Sequence, residues 1–289
     1  MSKSTAPVLR CGAKLLDLSS PVVMGVLNVT PDSFSDGGSF VGRGEALAHA
    51  GYMLESGAAI IDVGGESTRP GARPVSIQEE LDRVVPVVEA LVQEFQCVVS
   101  VDTSTPEVML AAAGVGAGLI NDVRALKRPG ALDAVASLDL PVCLMHMQGQ
   151  PETMQKNPKY QGIEREIAVF FAQRIDACVA AGVSKERLLL DPGFGFGKTL
   201  EHNVALLSGL SEFLSLGLPL LVGLSRKTMI GAILDKPIDQ RLYGSVAAAV
   251  LAVERGAAIV RVHDVLETVD ALAVVAAIRD IKCGASNAG

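Results

Sequence analysis

The sequence predicts an α/β fold, a (β/α)₈ TIM barrel, and three observations carry that reading. Short runs rich in Val, Ile and Leu alternate with helix-like segments along almost the whole chain. Eight such runs can be counted, with no Pro/Gly/Ser-rich linker dividing them. Each run also hands the chain to a polar residue at its C-terminal end, where barrel strands converge on one mouth. The competing architecture is an open Rossmann-like sheet, and an even eightfold alternation favours closure over it.

Composition agrees. The 289 residues are 49% hydrophobic but only 4% aromatic, with no Trp, so the core must be built from Ala, Val, Leu and Ile. Such side chains suit a parallel sheet covered by helices. The whole chain, 1–289, is expected to be one domain, because barrels of roughly 250 residues are an exception to the usual size rule. A net charge of −7 argues against a nucleic-acid or membrane-surface binder, although a local cationic cluster can still take an anion. Cys11, Cys97, Cys143, Cys178 and Cys283 are scattered and form no CxxC pair. They read as reduced thiols rather than a disulfide framework or zinc site. With no signal peptide in residues 1–20 and no apolar run near the ~18–20 residues of a membrane span, the expected location is the cytoplasm.

In chain order, the first element expected is a hairpin. Val8-Leu9-Arg10 and Leu15-Leu16-Asp17 flank a turn at Cys11-Gly12, and the pair can plug the barrel bottom. Barrel strands follow at Val22–Leu27, Ala59–Val63, Val98–Val101, Gly118–Ile120, Val142–Met145, Leu188–Leu190, Leu220–Gly223 and Ala258–Val262. Between them, Ser76 and Glu79 have capping-box spacing at the head of a helix through about Phe95. Thr105-Pro106 reads as an N-cap followed by Pro in the first turn. Asp264 is placed to cap a last helix, Val265–Ile281.

The strand endings are Asn28, Asp62 leading into Gly64–Pro70, Asp102, Asn121-Asp122, His146, Asp191, Ser225-Arg226-Lys227 and Arg261–His263. One Asp after a strand is ordinarily a helix cap. Arg, Lys and His are poor caps, so the set as a whole reads as a site. The loops Thr30–Gly44 and Gly64–Val75 are long and rich in Gly, Pro, Ser and Asp, as lids over a substrate are.

Several motifs fail on inspection. Gly193-Phe-Gly-Phe-Gly197-Lys198-Thr199 imitates a phosphate-binding P-loop, but Pro192 stands where the first glycine is required. The glycines of 114–118 precede a strand, the wrong order for a dinucleotide fingerprint. Cys143 and His146, three apart, face opposite sides of a strand and make no nucleophile–base pair.

The remaining polar residues suggest a chemistry. Arg261 and His263, two apart, face the same side of a strand end and suit a diphosphate. Asn28 is placed to give a neutral oxygen to Mg²⁺, with Asp36 in the lid as a charged partner. Asp102, Asn121, Asp191 and Lys227 suit a flat heterocycle with donors and acceptors on its edge, such as a 2-amino-pyrimidinone. The competing reading is that these charges are buried ion pairs that stabilise the barrel.

Against this background, Gly25-Val-Leu-Asn28-Val-Thr-Pro-Asp-Ser-Phe-Ser-Asp-Gly-Gly38 and Asp62-Val-Gly-Gly-Glu-Ser-Thr-Arg-Pro-Gly71 resemble the two signature motifs of bacterial dihydropteroate synthases. Ser100-Val-Asp102-Thr, Ile120-Asn121-Asp, Leu144-Met145-His-Met147, Asp191-Pro-Gly-Phe-Gly-Phe-Gly-Lys198, Gly223-Leu-Ser-Arg-Lys227 and Arg261-Val-His263-Asp extend the match, in order, over residues 12 to 280. The resemblance implies a transferase of folate biosynthesis that joins 6-hydroxymethyl-7,8-dihydropterin diphosphate to p-aminobenzoate. It implies a pterin pocket of Asp102, Asn121, Met145, Asp191, Phe196, Lys227 and Arg261, with Asp62 and Phe196 as supporting walls. Arg261, His263 and Thr68 would hold the diphosphate, and Asn28 and Asp36 would reach Mg²⁺. Phe34, Thr68, Arg69, Pro70 and Ser225 would form the p-aminobenzoate side, which sulfonamides mimic. Asp102, Lys227, Arg261 and His263 would carry the chemistry, and a homodimer through the later helices is expected.

Two alternatives stand beside it. A pterin-binding methyltransferase barrel would share the pocket but has no use for Arg69 and the diphosphate clamp, and works beside a cobalamin domain that the sequence does not carry. A non-catalytic pterin-binding paralogue would require losses at the clamp or lids, and the sequence shows none.

Overall fold

The computed structural model describes residues 8–29, 38–67, 75–151 and 153–285, with side chains left aside at 38–41 and 280–285. The expected lid residues Phe34, Asp36, Thr68, Arg69 and Pro70 therefore lie outside the described residues.

The chain opens with an antiparallel hairpin, β1 (Val8–Cys11) and β2 (Lys14–Asp17), paired from Val8↔Asp17 to Cys11↔Lys14. Eight parallel strands follow: β3 (Val22–Asn28), β4 (Ile60–Gly64), β5 (Val98–Asp102), β6 (Leu119–Asp122), β7 (Val142–Met145), β8 (Leu188–Asp191), β9 (Leu220–Val222) and β10 (Ala257–Val262). They close into a barrel in the order β10-β3-β4-β5-β6-β7-β8-β9. Their bounds lie within two residues of those the sequence predicts. The covering helices are α1 (Gly38–Glu55), α2 (Ile77–Phe95), α3 (Pro106–Gly114), α4 (Ala131–Ser137), α5 (Ile163–Ala180), α6 (Leu200–Ser208), α7 (Thr228–Leu234), α8 (Leu242–Glu254) and α9 (Val265–Ala285). None of the described helices is long and apolar enough to cross a membrane.

Strand pleating sorts the side chains into two cores. Val23, Ile61, Val99, Ile120, Val142, Leu188, Leu220 and Val260 face outward and pack under the helices. One step along each strand, Met24, Ile60, Val98, Leu119, Cys143, Leu189, Leu221 and Ile259 face inward, one from every strand, and fill the barrel bottom. The hairpin closes that layer from below with Leu9, Cys11, Leu16 and Leu18. Each of these leucines contributes roughly 1.5–3 kcal/mol by leaving water. Counting two residues further along each strand gives the next inward tier: Val26, Asp62, Ser100, Asn121, Met145, Asp191, Gly223 and Arg261. The interior changes from oil to charge in one step, and the site is built there.

Three local expectations are corrected. Helix α1 begins at Gly38, so the loop read as Thr30–Gly44 is shorter; residues 38–49 contain no Pro to stop a helix. Thr105 occupies the N-cap position of α3, but its hydroxyl donates to Glu80 Oε2 (2.6 Å) rather than capping the helix. The Asp264 carboxylate is taken by Arg226, because a guanidinium outcompetes a backbone N–H for a carboxylate. The Ser76–Glu79 capping box forms as expected, with Ser76 N donating to Glu79 Oε2 (2.9 Å) and Glu79 N to Ser76 Oγ (3.3 Å).

Candidate active site

At the C-terminal ends of the strands, Arg261 is the hub. Its Nε donates to Asp62 Oδ2 (2.5 Å) and its Nη2 to Asp102 Oδ2 (2.8 Å). Asn121 Nδ2 donates to the same Asp62 oxygen at 3.2 Å. Four strands thus meet through one guanidinium and one carboxamide. The other Asp62 oxygen, and Ser100 Oγ beside it in register, are buried without a hydrogen-bond partner. The two competing readings of the sequence therefore converge: the charges form buried ion pairs, and those pairs line the tier where a ligand would sit.

Lys227 enters from the loop after β9. Its ammonium donates to the Phe194 carbonyl and lies 4.8 Å from the centroid of the half-buried Phe196 ring. Asp191, at the end of β8, accepts from Gly193 N (2.7 Å) and so fixes the start of the glycine-rich loop. Met145 is buried on β7, in register with Asp191. Beyond it a cavity of about 400 Å³ opens toward Val123, Lys127 and Phe170. The cations around that cavity are engaged: Arg124 with Glu66, Lys127 over the Phe170 ring, and Arg128 with Thr105.

Burial shapes the protonation of this tier. Desolvation pushes the Asp102 carboxyl upward; Arg261 opposes the shift, while Asp62, Asp122 and Glu66 add to it. Asp191 is raised by burial too, against the pull of Lys227. Burial lowers the Lys227 ammonium to about 8 although Asp191 favours its charge. Desolvation works against the Arg261 cation, but Asp62 and Asp102 outweigh it and its pKa rises. The tier holds one permanent cation, one titratable cation and two carboxylates, Asp102 and Asp191, that burial makes more basic than usual.

His263 and Ser225 form a second cluster. Ser225 Oγ accepts from His263 N (3.2 Å) and lies 3.0 Å from His263 Nδ1. The same loop carries Arg226, which pairs with Asp264 and whose N–H donates to Ser245 Oγ on α8 (2.9 Å). Asn28 ends β3, the strand beside β10: a Cβ added at Gly64 would lie 3.7 Å from Asn28 Oδ1 and 3.8 Å from Asp102 Oδ2. Among the described residues no three carboxylate, His or Cys ligands gather as a metal cage. A neutral amide oxygen at the mouth fits Mg²⁺ nonetheless, since that ion keeps its waters and takes phosphate oxygens with few protein ligands.

Sequence reasoning missed the supports. Arg124 grips Glu66 with two parallel bonds (3.1 and 3.2 Å), and Arg83 Nη1 donates to Gly65 O (3.2 Å); both hold the stem of the second long loop. Glu80, buried in α2, accepts from Thr103 (2.5 Å) and Thr105 (2.6 Å), fixing the chain after Asp102. The sequence signal for Glu80 was its place on the apolar face of α2, four residues before Val84 and eight before Val88. Asp62, read as a wall residue, is the ion-pair centre; its signal was a lone charge inside Ile60-Ile61-Asp62-Val63.

Comparison with known proteins gives the geometry its context. The family model described as "Pterin binding enzyme" matches residues 24–263. Dihydropteroate synthase of Escherichia coli (strain K12) is 59% identical over 92% of this chain and 95% of its own length. The crystal structure of Yersinia pestis dihydropteroate synthase with a sulfonamide drug complex superposes with a TM-score of 0.91 at 59% identity, covering 94% of this chain and 99% of that one. Xanthomonas albilineans dihydropteroate synthase with 4-aminobenzoic acid gives 0.90 at 52% identity, covering 95% and 99%. With an eight-stranded closed barrel and a charged inward tier at its mouth, the chain belongs to the pterin-binding enzyme family and, within it, to the dihydropteroate synthases.

Proposed function

We infer that the chain joins 6-hydroxymethyl-7,8-dihydropterin diphosphate to p-aminobenzoate, releasing diphosphate and giving 7,8-dihydropteroate. The observation that carries this reading is the single tier of Asp62, Asn121, Asp191 and Arg261, with Asp102 and Lys227 directly above, on a barrel so similar to known dihydropteroate synthases.

In this reading Asp191 and Asn121 pair with the pterin edge, Lys227 donates to its carbonyl, and Met145 and Phe196 pack on its faces. Arg261 covers the ring and, with His263 and Thr68, holds the diphosphate. Mg²⁺, bound by Asn28 and Asp36, would supply positive charge to the departing phosphates. As the pterin methylene–oxygen bond breaks, a cation develops over the ring, and the Asp102 carboxylate stabilises it electrostatically. The aniline nitrogen then forms the new C–N bond and loses a proton to solvent. Phe34, Thr68, Arg69, Pro70 and Ser225 position the aniline, so that positioning and charge, rather than a covalent nucleophile, carry the rate. Sulfonamides compete for that subsite.

The chain works as one domain in the cytoplasm and as a homodimer. Support for the dimer is the apolar surface of the later helices, where Ile233, Ile238, Tyr243 and Leu251 are exposed. Incubation with the pterin diphosphate, Mg²⁺ and p-aminobenzoate yields dihydropteroate and diphosphate in equal amounts. Absence of product overturns the reading.

A further inference from the structure

The rejected P-loop mimic leaves one group without a task. Lys198 is 3% exposed, and burial lowers its ammonium to about 7 although Asp191 favours the charge; a barrel has no reason to bury such a group unless it holds something. All three N–H donors of its ammonium have acceptors within the fold: Gly193 O (2.9 Å), Phe196 O (3.1 Å) and His146 Nδ1 (3.0 Å). His146 is itself buried and packs edge-on against Phe170, with ring centroids 4.8 Å apart. Burial and the nearby Lys198 hold the imidazole neutral, and in its Nε2-protonated tautomer Nδ1 accepts the bond.

The carbonyls Lys198 gathers belong to the loop that carries Phe194 and Phe196, the two contacts of Lys227. Other bonds also shape that loop: Gly193 N donates to Asp191 Oδ1 (2.7 Å), Phe196 N to Gly193 O (3.1 Å), and Gln155 Nε2 to Gly195 O. Gly193, Gly195 and Gly197 all lie at positive φ, so the backbone is intrinsically permissive here. Gly193 also passes so close to β7 that an added Cβ would lie 1.9 Å from His146 O. Asn203 Oδ1 accepts from Gly195 N (2.7 Å) and Tyr160 donates to Gly197 O (2.9 Å), but both act from outside the loop. Lys198 ties its two ends together from within.

We propose that Lys198, anchored on His146, is a positioning residue for the pterin subsite: it folds the Gly193–Gly197 loop so that Phe194 O and the Phe196 ring orient the Lys227 ammonium. This rests on the reading that Asp191, Lys227 and Phe196 bind the pterin. It assigns Lys198 no contact with p-aminobenzoate, whose subsite lies with Ser225 and the long loops.

The test measures Lys198→Met and His146→Phe, each checked for a cooperative melt and an unchanged far-UV spectrum. The fluorescence of 6-hydroxymethylpterin reports binding directly, and the absence of Trp leaves its signal uncrowded. Lys198→Met weakens pterin affinity and raises the KM for pterin diphosphate by about tenfold or more, as loss of bonds to a buried charge does. The KM for p-aminobenzoate stays within about twofold. His146→Phe removes one of the three acceptors, moves the same two quantities by a smaller factor, and serves if Lys198→Met does not fold. A folded variant with unchanged pterin affinity, or with both KM values raised alike, overturns the proposal. Asp191→Asn separates the levels. If it abolishes pterin binding while the Lys198 and His146 variants do not affect it, only this proposal fails. If Asp191→Asn also binds normally, the pterin reading itself fails.

Discussion

Arg261 and Asp62, 199 residues apart in sequence, are joined by a 2.5 Å bond in the floor of the barrel mouth. Asp62 is wholly buried, and Arg261 gives its other bond to Asp102. The pair fixes β10 against β4 across the intervening β3, and so sets where the charges of the tier stand.

Breaking that pair is expected to cost stability before it costs chemistry. Asp62→Ala leaves Asn121 without its acceptor and Arg261 with one carboxylate in place of two. Loss of one partner of a buried ion pair costs about 3–5 kcal/mol, read as a lower urea midpoint with an unchanged slope. Asp62→Asn, which keeps an acceptor oxygen, falls between this variant and the parent.

Asp102→Asn is expected to act on turnover. It retains the size of the side chain and removes the negative charge proposed to face the pterin cation. A fall in kcat of about a hundredfold is expected, in the range seen when one preorganised electrostatic group is lost. Unchanged turnover would count decisively against the proposed mechanism.

The pH profile follows from the two titratable groups of the tier. Asp102 must be ionised, and burial raises its pKa, so the acid limb of kcat/KM lies above the ordinary carboxylate range. Lys227 must be protonated, and burial lowers it to about 8, so activity falls as pH rises through that value. The profile is a bell with a narrow top. Lys227→Arg, if it binds pterin, moves the alkaline limb upward, because a guanidinium does not titrate there.

The Arg124–Glu66 grip predicts an effect mainly on the second substrate. Arg124→Met frees the stem of the loop that carries Thr68, Arg69 and Pro70. It is expected to raise the KM for p-aminobenzoate several-fold, by about the value of a charge-assisted hydrogen bond, while pterin affinity holds. Steady-state rates with each substrate varied in turn decide the point. An equal rise in both KM values would refute the assignment.

Inhibition checks the same subsite from outside. A sulfonamide is expected to compete with p-aminobenzoate and not with the pterin diphosphate, so that raising p-aminobenzoate alone restores the rate. Inhibition insensitive to p-aminobenzoate would place the drug elsewhere.

The sequence by itself determined the inventory and its direction. A period of two along each strand decides that Met24, Ile60 and Leu189 point inward, and that Asp62, Asn121 and Asp191 do so one pleat later. Asp62, Asn121, Asp191 and Arg261 are polar strand endings that fill the mouth. Asp122 instead accepts from Ser104 and the following backbone, His146 accepts from the buried Lys198, and Arg226 pairs with Asp264. Ser76 and Glu79 were legible because a capping box is local, three residues wide. What only the tertiary structure decided is partnership between strands. Barrel closure sets β10 beside β3 and within reach of β4, and that alone makes Arg261 the shared partner of Asp62 and Asp102. Lys198 and His146, 52 residues apart, and Glu66 and Arg124, 58 apart, were hidden for the same reason. A side chain's hydrogen-bond partner depends on register and twist across neighbouring strands, quantities no periodicity along one strand contains.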